Sequence, residues 1–137
     1  MTDTLDEAHA QVAFGLLAAN GNLLHVFDGV VADLTEPPYV LIYSRVAWPR
    51  DGIGTALTGT QVTITTTWTC HCVGLTPALA RAVQMQVRSS LLNVRPVITG
   101  RNCSPIKQVD AMDPDRDNTT GRVVMDAISI FDFVSIG

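Results

Sequence analysis

Positive charge is scarce in this chain. Nine Lys and Arg stand against thirteen Asp and Glu, giving a net charge of −4 and an isoelectric point near 5.1. The nine are scattered from Arg45 to Arg122 and form no cluster along the chain. Tight duplex binding by a basic patch is therefore excluded. A surface past which nucleic acid slides without adhering is not. Cysteine is sparse as well, and three is an odd count that makes no disulfide framework. Although 47% of the chain is hydrophobic, no apolar run reaches the ~18 residues that span a bilayer. The opening Met-Thr-Asp-Thr-Leu-Asp-Glu is acidic and lacks an apolar core, so no secretory signal is expected. A soluble product made in the cytosol is expected instead. The sequence has no Walker motif, Ser-His-Asp arrangement or paired catalytic carboxylates, and so gives no argument for an enzyme. Repeats, linkers and low-complexity tracts are missing too. The length fits one domain, 1–137. Surface scaling at 14.7 kDa buries roughly two-thirds of the chain's surface, enough for a core without staples.

What is present is organised around residues 59–92. Val62, Ile64, Trp68, Cys70 and Cys72 fall on alternate positions, with Thr63, Thr65, Thr67 and Thr69 between them. A period of two predicts a strand with one buried face and one face mostly of hydroxyls. At Gly74 the period changes. Thr76 suits an N-cap and Pro77 the first helical turn. Leu79, Val83, Val87 and Leu91 then recur at i+4, with Ala82 and Leu92 widening the stripe. A long strand thus feeds, through a Gly turn, an amphipathic helix that folds back on its sheet.

The rest of the chain is placed around that unit. Thr4-Leu5-Asp6-Glu7 has the form of a capping box. It opens a helix predicted over 5–19, with Leu5, Ala8, Val12 and Leu16 at helical spacing and Ala13 and Leu17 beside them. A short strand over 23–27 ends at the turn dipeptide Asp28-Gly29. Pro37-Pro38 closes a loop, and Tyr39-Val40-Leu41-Ile42-Tyr43 reads as a strand apolar on both faces. Helices would cover one of those faces, and a neighbouring subunit would cover the other. Residues 48–59 form a loop long enough to be functional or mobile. Its Gly52-x-Gly54 lacks the Lys-Ser/Thr and the helix of a phosphate cradle. After an irregular 93–102 come a strand over 103–109, an acidic turn over 110–121 and a final strand over 122–134. In that last strand Ile128 and Ile130 point one way, and Phe131 and Phe133 the other. The expected fold is α+β: a mixed or antiparallel sheet of four to five strands with two helices on one face.

Three constellations invite chemistry. Cys70-His71-Cys72 lies on a strand, where the two thiols share one face and the imidazole takes the other. The three do not converge on one zinc ion, and Cys70 or Cys72 does not pair with His71 as nucleophile and base. Buried free thiols are the expected state. Asp113-x-Asp115-x-Asp117 copies the start of a calcium loop, but Asn118 and Val124 stand where Gly and a bidentate Glu belong. A solvated hairpin tip is the expected reading. His9 has no acid or cysteine at i±4, and is read as a solvated or edge histidine.

The chain resembles the tail terminator proteins of long-tailed (siphovirus) phages, those of actinobacterial hosts in particular. The likeness lies in the N-terminal helix before Val26-Phe27-Asp28-Gly29-Val30-Val31, and in Pro37-Pro38-Tyr39-Val40-Leu41-Ile42-Tyr43. It continues through the Gly-rich loop, Gln61-Val62-Thr63 through Cys70-His71-Cys72-Val73-Gly74-Leu75-Thr76, and the helix ending Leu91-Leu92. The acidic 110–118 and Phe131-x-Phe133 complete it. The resemblance implies a virion structural protein at the tail–neck region that is not an enzyme and needs no cofactor. It implies a homo-oligomer, a hexameric ring on the last ring of the tail tube. Such a ring ends tube polymerisation and presents the surface that joins the neck or head-completion protein. DNA passes its lumen without specific binding. Six copies would carry about −24, six times −4, which repels phosphate wherever the acids line the lumen. Trp48, Arg50, Asp51 and Ile53 in the long loop are the expected protein contacts. The alternatives are a neck or head-completion connector and, from another class, a small metal-binding or Cys-dependent enzyme domain using Cys70, Cys72, Cys103 and a histidine.

Overall fold

The computed structural model describes residues 2–19, 25–31, 35–48, 63–117 and 123–137. The long strand is β3, Thr63–Gly74, and it lies third from one edge of a seven-stranded sheet. Along it Ile64, Thr66, Trp68, Cys70 and Cys72 are buried, while Thr63, Thr65, Thr67, Thr69 and His71 are half-buried. The predicted alternation holds, except that Thr66 stands on the buried side. Its hydroxyl has no hydrogen-bond partner. Val62 lies outside the described residues.

Gly74 turns the chain from β3 into a helix, Pro77–Leu91, which is the last of three among the described residues. A Cβ at Gly74 would come within 2.6 Å of the Ala80 backbone nitrogen, so only glycine fits this turn. Thr76 caps the helix: Leu79 N donates to its Oγ1 at 3.2 Å, and Pro77 opens the first turn. The helix buries Ala80, Val83, Val87, Ser90 and Leu91. The expected stripe holds at Val83, Val87 and Leu91, but Leu79 is 46% exposed and Ala82 is exposed, and Ala80 takes the inward place in the first turn. Gln84 Nε2 donates to the carbonyls of Met112 and Ile128, tying the helix to the strands beneath it.

The N-terminal helix comes as two pieces, α1 Thr2–Ala10 and α2 Val12–Ala19, so the Pro77–Leu91 helix is α3. Gln11 N donates to Glu7 O and Gly15 N to Gln11 O, so the α-helical hydrogen bonds run through the junction. The helix begins at Thr2. Thr4 therefore stands inside it, and is not the N-cap that the capping-box pattern predicted. The buried row is Ala13 and Leu17, which were expected beside the stripe, together with His9, while Leu5, Val12 and Leu16 of the stripe itself are only partly buried against the core. Trp68 Nε1 donates to Ala10 O at 3.1 Å from the sheet. All three helices pack on the face of the sheet that carries Trp68, Phe131 and Phe133.

The remaining strands are β1 His25–Asp28, β2 Tyr39–Ala47, β4 Asn102–Cys103, β5 Lys107–Ala111, β6 Asp115–Asp117 and β7 Val124–Ile136. β1 pairs with β2 in parallel and every other pairing is antiparallel. The order is β1-β2-β3-β7, with β4, β5 and β6 laid end to end along the far side of β7. Seven strands replace the expected four or five because this outer rank is broken into three. Part of the predicted acidic turn is therefore strand, Asp110 and Ala111 in β5 and Asp115–Asp117 in β6. The Pro37–Pro38 peptide bond, just before β2, is cis.

Candidate assembly interface

On the side of the sheet away from the helices, the register sets out rows of residues. Leu41, His71 and Ile128 form one row, and Tyr43, Thr69 and Ile130 the next. Arg45, Thr67, Asp132 and Lys107 follow, then Ala47, Thr65 and Val134. None of these is fully buried, and Tyr43 is 48% exposed. One end of this face is covered by the chain itself. There Tyr39, Val73 and Val124 are buried with Phe27 and Val31 against them, and the Tyr39 ring meets Phe27 edge-on at 5.8 Å. The doubly apolar start of β2 is thus covered from both sides within one subunit. The remaining rows mix Leu41, Tyr43, Ile128, Ile130 and Val134 with hydroxyls and charges, and no described helix lies over them. A polar-flanked apolar patch of this kind is the usual mark of a protein contact.

The electrostatics of this face centre on one ion pair. His71 Nδ1 lies 2.8 Å from Asp126 Oδ2, and the Tyr43 ring stands edge-on to the imidazole at 5.6 Å. The hydrogen bond that His71 Nδ1–H donates to Asp126 raises the His71 pKa. Partial burial opposes this, while the charges of Asp126 and Asp117 add to it. Asp126 Oδ1 and Asp132 Oδ1 are buried with no hydrogen-bond partner. Asp110 and Asp115 turn one oxygen each to the next backbone N–H, on Ala111 and Arg116.

The predicted contact residues are reached only in part. Trp48 is half-buried, and its Nε1 donates to Asp6 Oδ1 of α1 at 2.6 Å. It leans on its own helix. Arg50, Asp51 and Ile53 lie outside the described residues. Cys70 and Cys72 point into the core at 0% exposure, and His71 to the opposite face, as strand geometry requires. Burial pushes the Cys70 thiol up to about 12 and raises Cys72 and Cys103 as well, which suppresses thiolate chemistry. Among the described residues no three His, Cys, Asp or Glu side chains gather as metal ligands. Asp115 and Asp117 lie on a paired strand rather than a loop coiled round an ion.

His9 corrects the sequence reading outright. It is fully buried, not solvated or at an edge, and its ring stacks on Phe133 at 5.9 Å. Its Nδ1 lies 2.7 Å from Leu5 O and its Nε2 2.7 Å from Ser135 Oγ. Arg101 donates to the same hydroxyl and to Ser135 O. The Nδ1–H tautomer satisfies this chain: Nδ1–H donates to Leu5 O, and the serine proton goes to Nε2. The group joins α1 to the end of β7. His9-x₃-Ala13-x₃-Leu17 was the signal that could have placed it inside.

No protein-family model matches this chain, and no curated protein does. A solved structure is similar: a chain in the virion of a native gene transfer agent particle, with a TM-score of 0.68 at 16% identity. The match covers 93% of this chain and 94% of that one. At such low identity the likeness is one of fold, and it takes in nearly the whole of both chains.

Proposed function

We propose that this chain is a structural protein of a virion and, within it, the tail terminator of a long-tailed phage. In this reading it forms a hexameric ring that caps the tail tube, stops polymerisation and presents the surface for the neck protein. The observation that carries the reading is the near full-length likeness of fold to a chain of a virion particle. The sheet face over which no described helix lies supports it, since a repeating assembly would bury that face. The net charge of −4 per copy suits a ring through which DNA passes without adhering. Trp48, Arg50, Asp51 and Ile53 are assigned to docking on a ring partner. Trp48 is held against α1 by Asp6. The buried, raised thiols speak against the Cys-dependent alternative.

Gold labelling of particles from the genome that carries this gene tests the reading. The expected result is label at the head–tail junction alone. Label along the tube, or particles without label, contradicts it.

A further inference from the structure

The cations of this chain are scattered, but its acids are not. Residues 52–109 contain five Lys or Arg and no Asp or Glu, whereas residues 110–137 contain six Asp and two Arg. Folding turns this pattern into two unlike surfaces on opposite sides of the molecule. The outward face of α3 bears Arg81 and Arg88 and no acid. Its apolar groups are Leu79 and Met85, the latter 70% exposed. A shallow hollow of about 370 Å³ lies on it, lined by Met85, Gln86, Arg88, Ser89 and Leu92. Among the described residues Arg81 has no ion-pair partner.

The open sheet face is the counterpart. Tyr43, 48% exposed, stands on β2 with Leu41, and Ile128 and Ile130 lie in the same two rows on β7, across His71 and Thr69 of β3. Asp110, Asp115, Asp126 and Asp132 flank the β7 side, and Arg45 and Lys107 offset only part of that charge. Like charge opposes the pairing of either surface with itself. Unlike charge round an apolar centre favours pairing one surface with the other.

We propose that the open sheet face of one copy seats on the outward face of α3 in the next copy, a head-to-tail contact that repeats. A contact between different patches of identical chains makes rings or filaments rather than closed two-fold dimers. The inference names the two surfaces through which the proposed ring closes, and only that closure rests on the reading above. The contact itself is a property of the purified chain.

Two variants test it by sedimentation over a concentration series. Tyr43→Glu breaks the sheet surface and Met85→Glu the α3 surface, and both sites are exposed enough for the fold to survive, which circular dichroism checks. The wild-type chain is expected to associate beyond a dimer, less so as salt rises. Each variant alone is expected to associate about tenfold more weakly or worse. An equimolar mixture of the two is expected to form a 1:1 dimer that grows no further, because each copy retains one complementary surface. A wild-type chain that stays monomeric at about 1 mM overturns the proposal, that concentration being weak even for a transient contact. So does a mixture that forms no dimer, or a wild-type assembly that stops at a two-fold dimer. If the wild type is monomeric and Tyr43→Glu still abolishes infectious particles, the face docks another virion protein and this contact is wrong. Head-to-tail assembly by a chain that gold labelling never finds in particles sinks the virion role and leaves the contact standing.

Discussion

On the helix-covered face of the sheet Trp68, Phe131 and Phe133 are fully buried, with Cys70 and Cys72 beside them. On the other face the same strands present Thr65, Thr67, Thr69, His71, Tyr43, Asp126 and Asp132, none fully buried. The first face is specified by volume: its side chains interlock, and the one indole N–H finds a helix carbonyl. The second is specified by spacing and charge; buried polar oxygens without a partner occur on both, at Ser44, Thr66 and Ser129 on the first and at Asp126 and Asp132 on the second. One strand can serve both because its side chains alternate, so stability and assembly are carried by neighbouring residues without competing for the same positions.

The sharpest way to break this contrast is to truncate adjacent residues on β3. Trp68→Ala is expected to cost about 3–5 kcal/mol by opening a core cavity, whereas Thr69→Ala is expected to change stability by under about 0.5 kcal/mol. Urea unfolding of the two variants reads the difference, and equal losses would mean that the outer face is core as well. Next, Gly74→Ala is expected to cost about 1–3 kcal/mol, since its methyl meets the α3 backbone and that backbone has to move. Thermal melting checks it. Thr66 carries one of the unpartnered hydroxyls on the inner face, with Ser44 and Ser129, so Thr66→Val is expected to stabilise the fold by about 1 kcal/mol by removing such a hydroxyl at nearly constant volume. A loss of stability there would mean that the hydroxyl has a partner.

The smallest expected effect sits on the outer face. Asp126 raises the His71 pKa, so the pair's contribution is fully present below the unfolded histidine value of ~6.5 and fades as pH rises through the higher folded value. The stability gap between wild type and Asp126→Asn should therefore be largest near pH 6 and narrow above it. Chemical denaturation across that range measures the gap, and a constant one would contradict the pairing.

Much of this fold was legible in the sequence. Alternation in β3, the change of period at Gly74 and the Thr76-Pro77 start of α3 each reflect local physics, and each stands where the pattern put it. The misses came where local pattern leaves a choice to packing. Several rows of a helix can satisfy a period of 3.6, and only the sheet beneath α1 and α2 selects His9, Ala13 and Leu17. The short strands β5 and β6 carry Lys, Gln, Asp and Arg at an edge, where exposure erases the hydrophobic signal and pairing with β7 alone holds them. The candidate interface was half visible. Apolar residues on both faces of β2 and β7 announced a second surface, but the ion pair of His71 with Asp126 joins residues 55 positions apart.

The most direct test of the central claim is tail length. An early stop codon in this gene, followed by negative-stain microscopy of the lysate, is predicted to give over-long tail tubes without heads, because nothing ends polymerisation. Tails of normal length lying detached beside filled heads would contradict termination and indicate a neck connector. Intact infectious virions would contradict both.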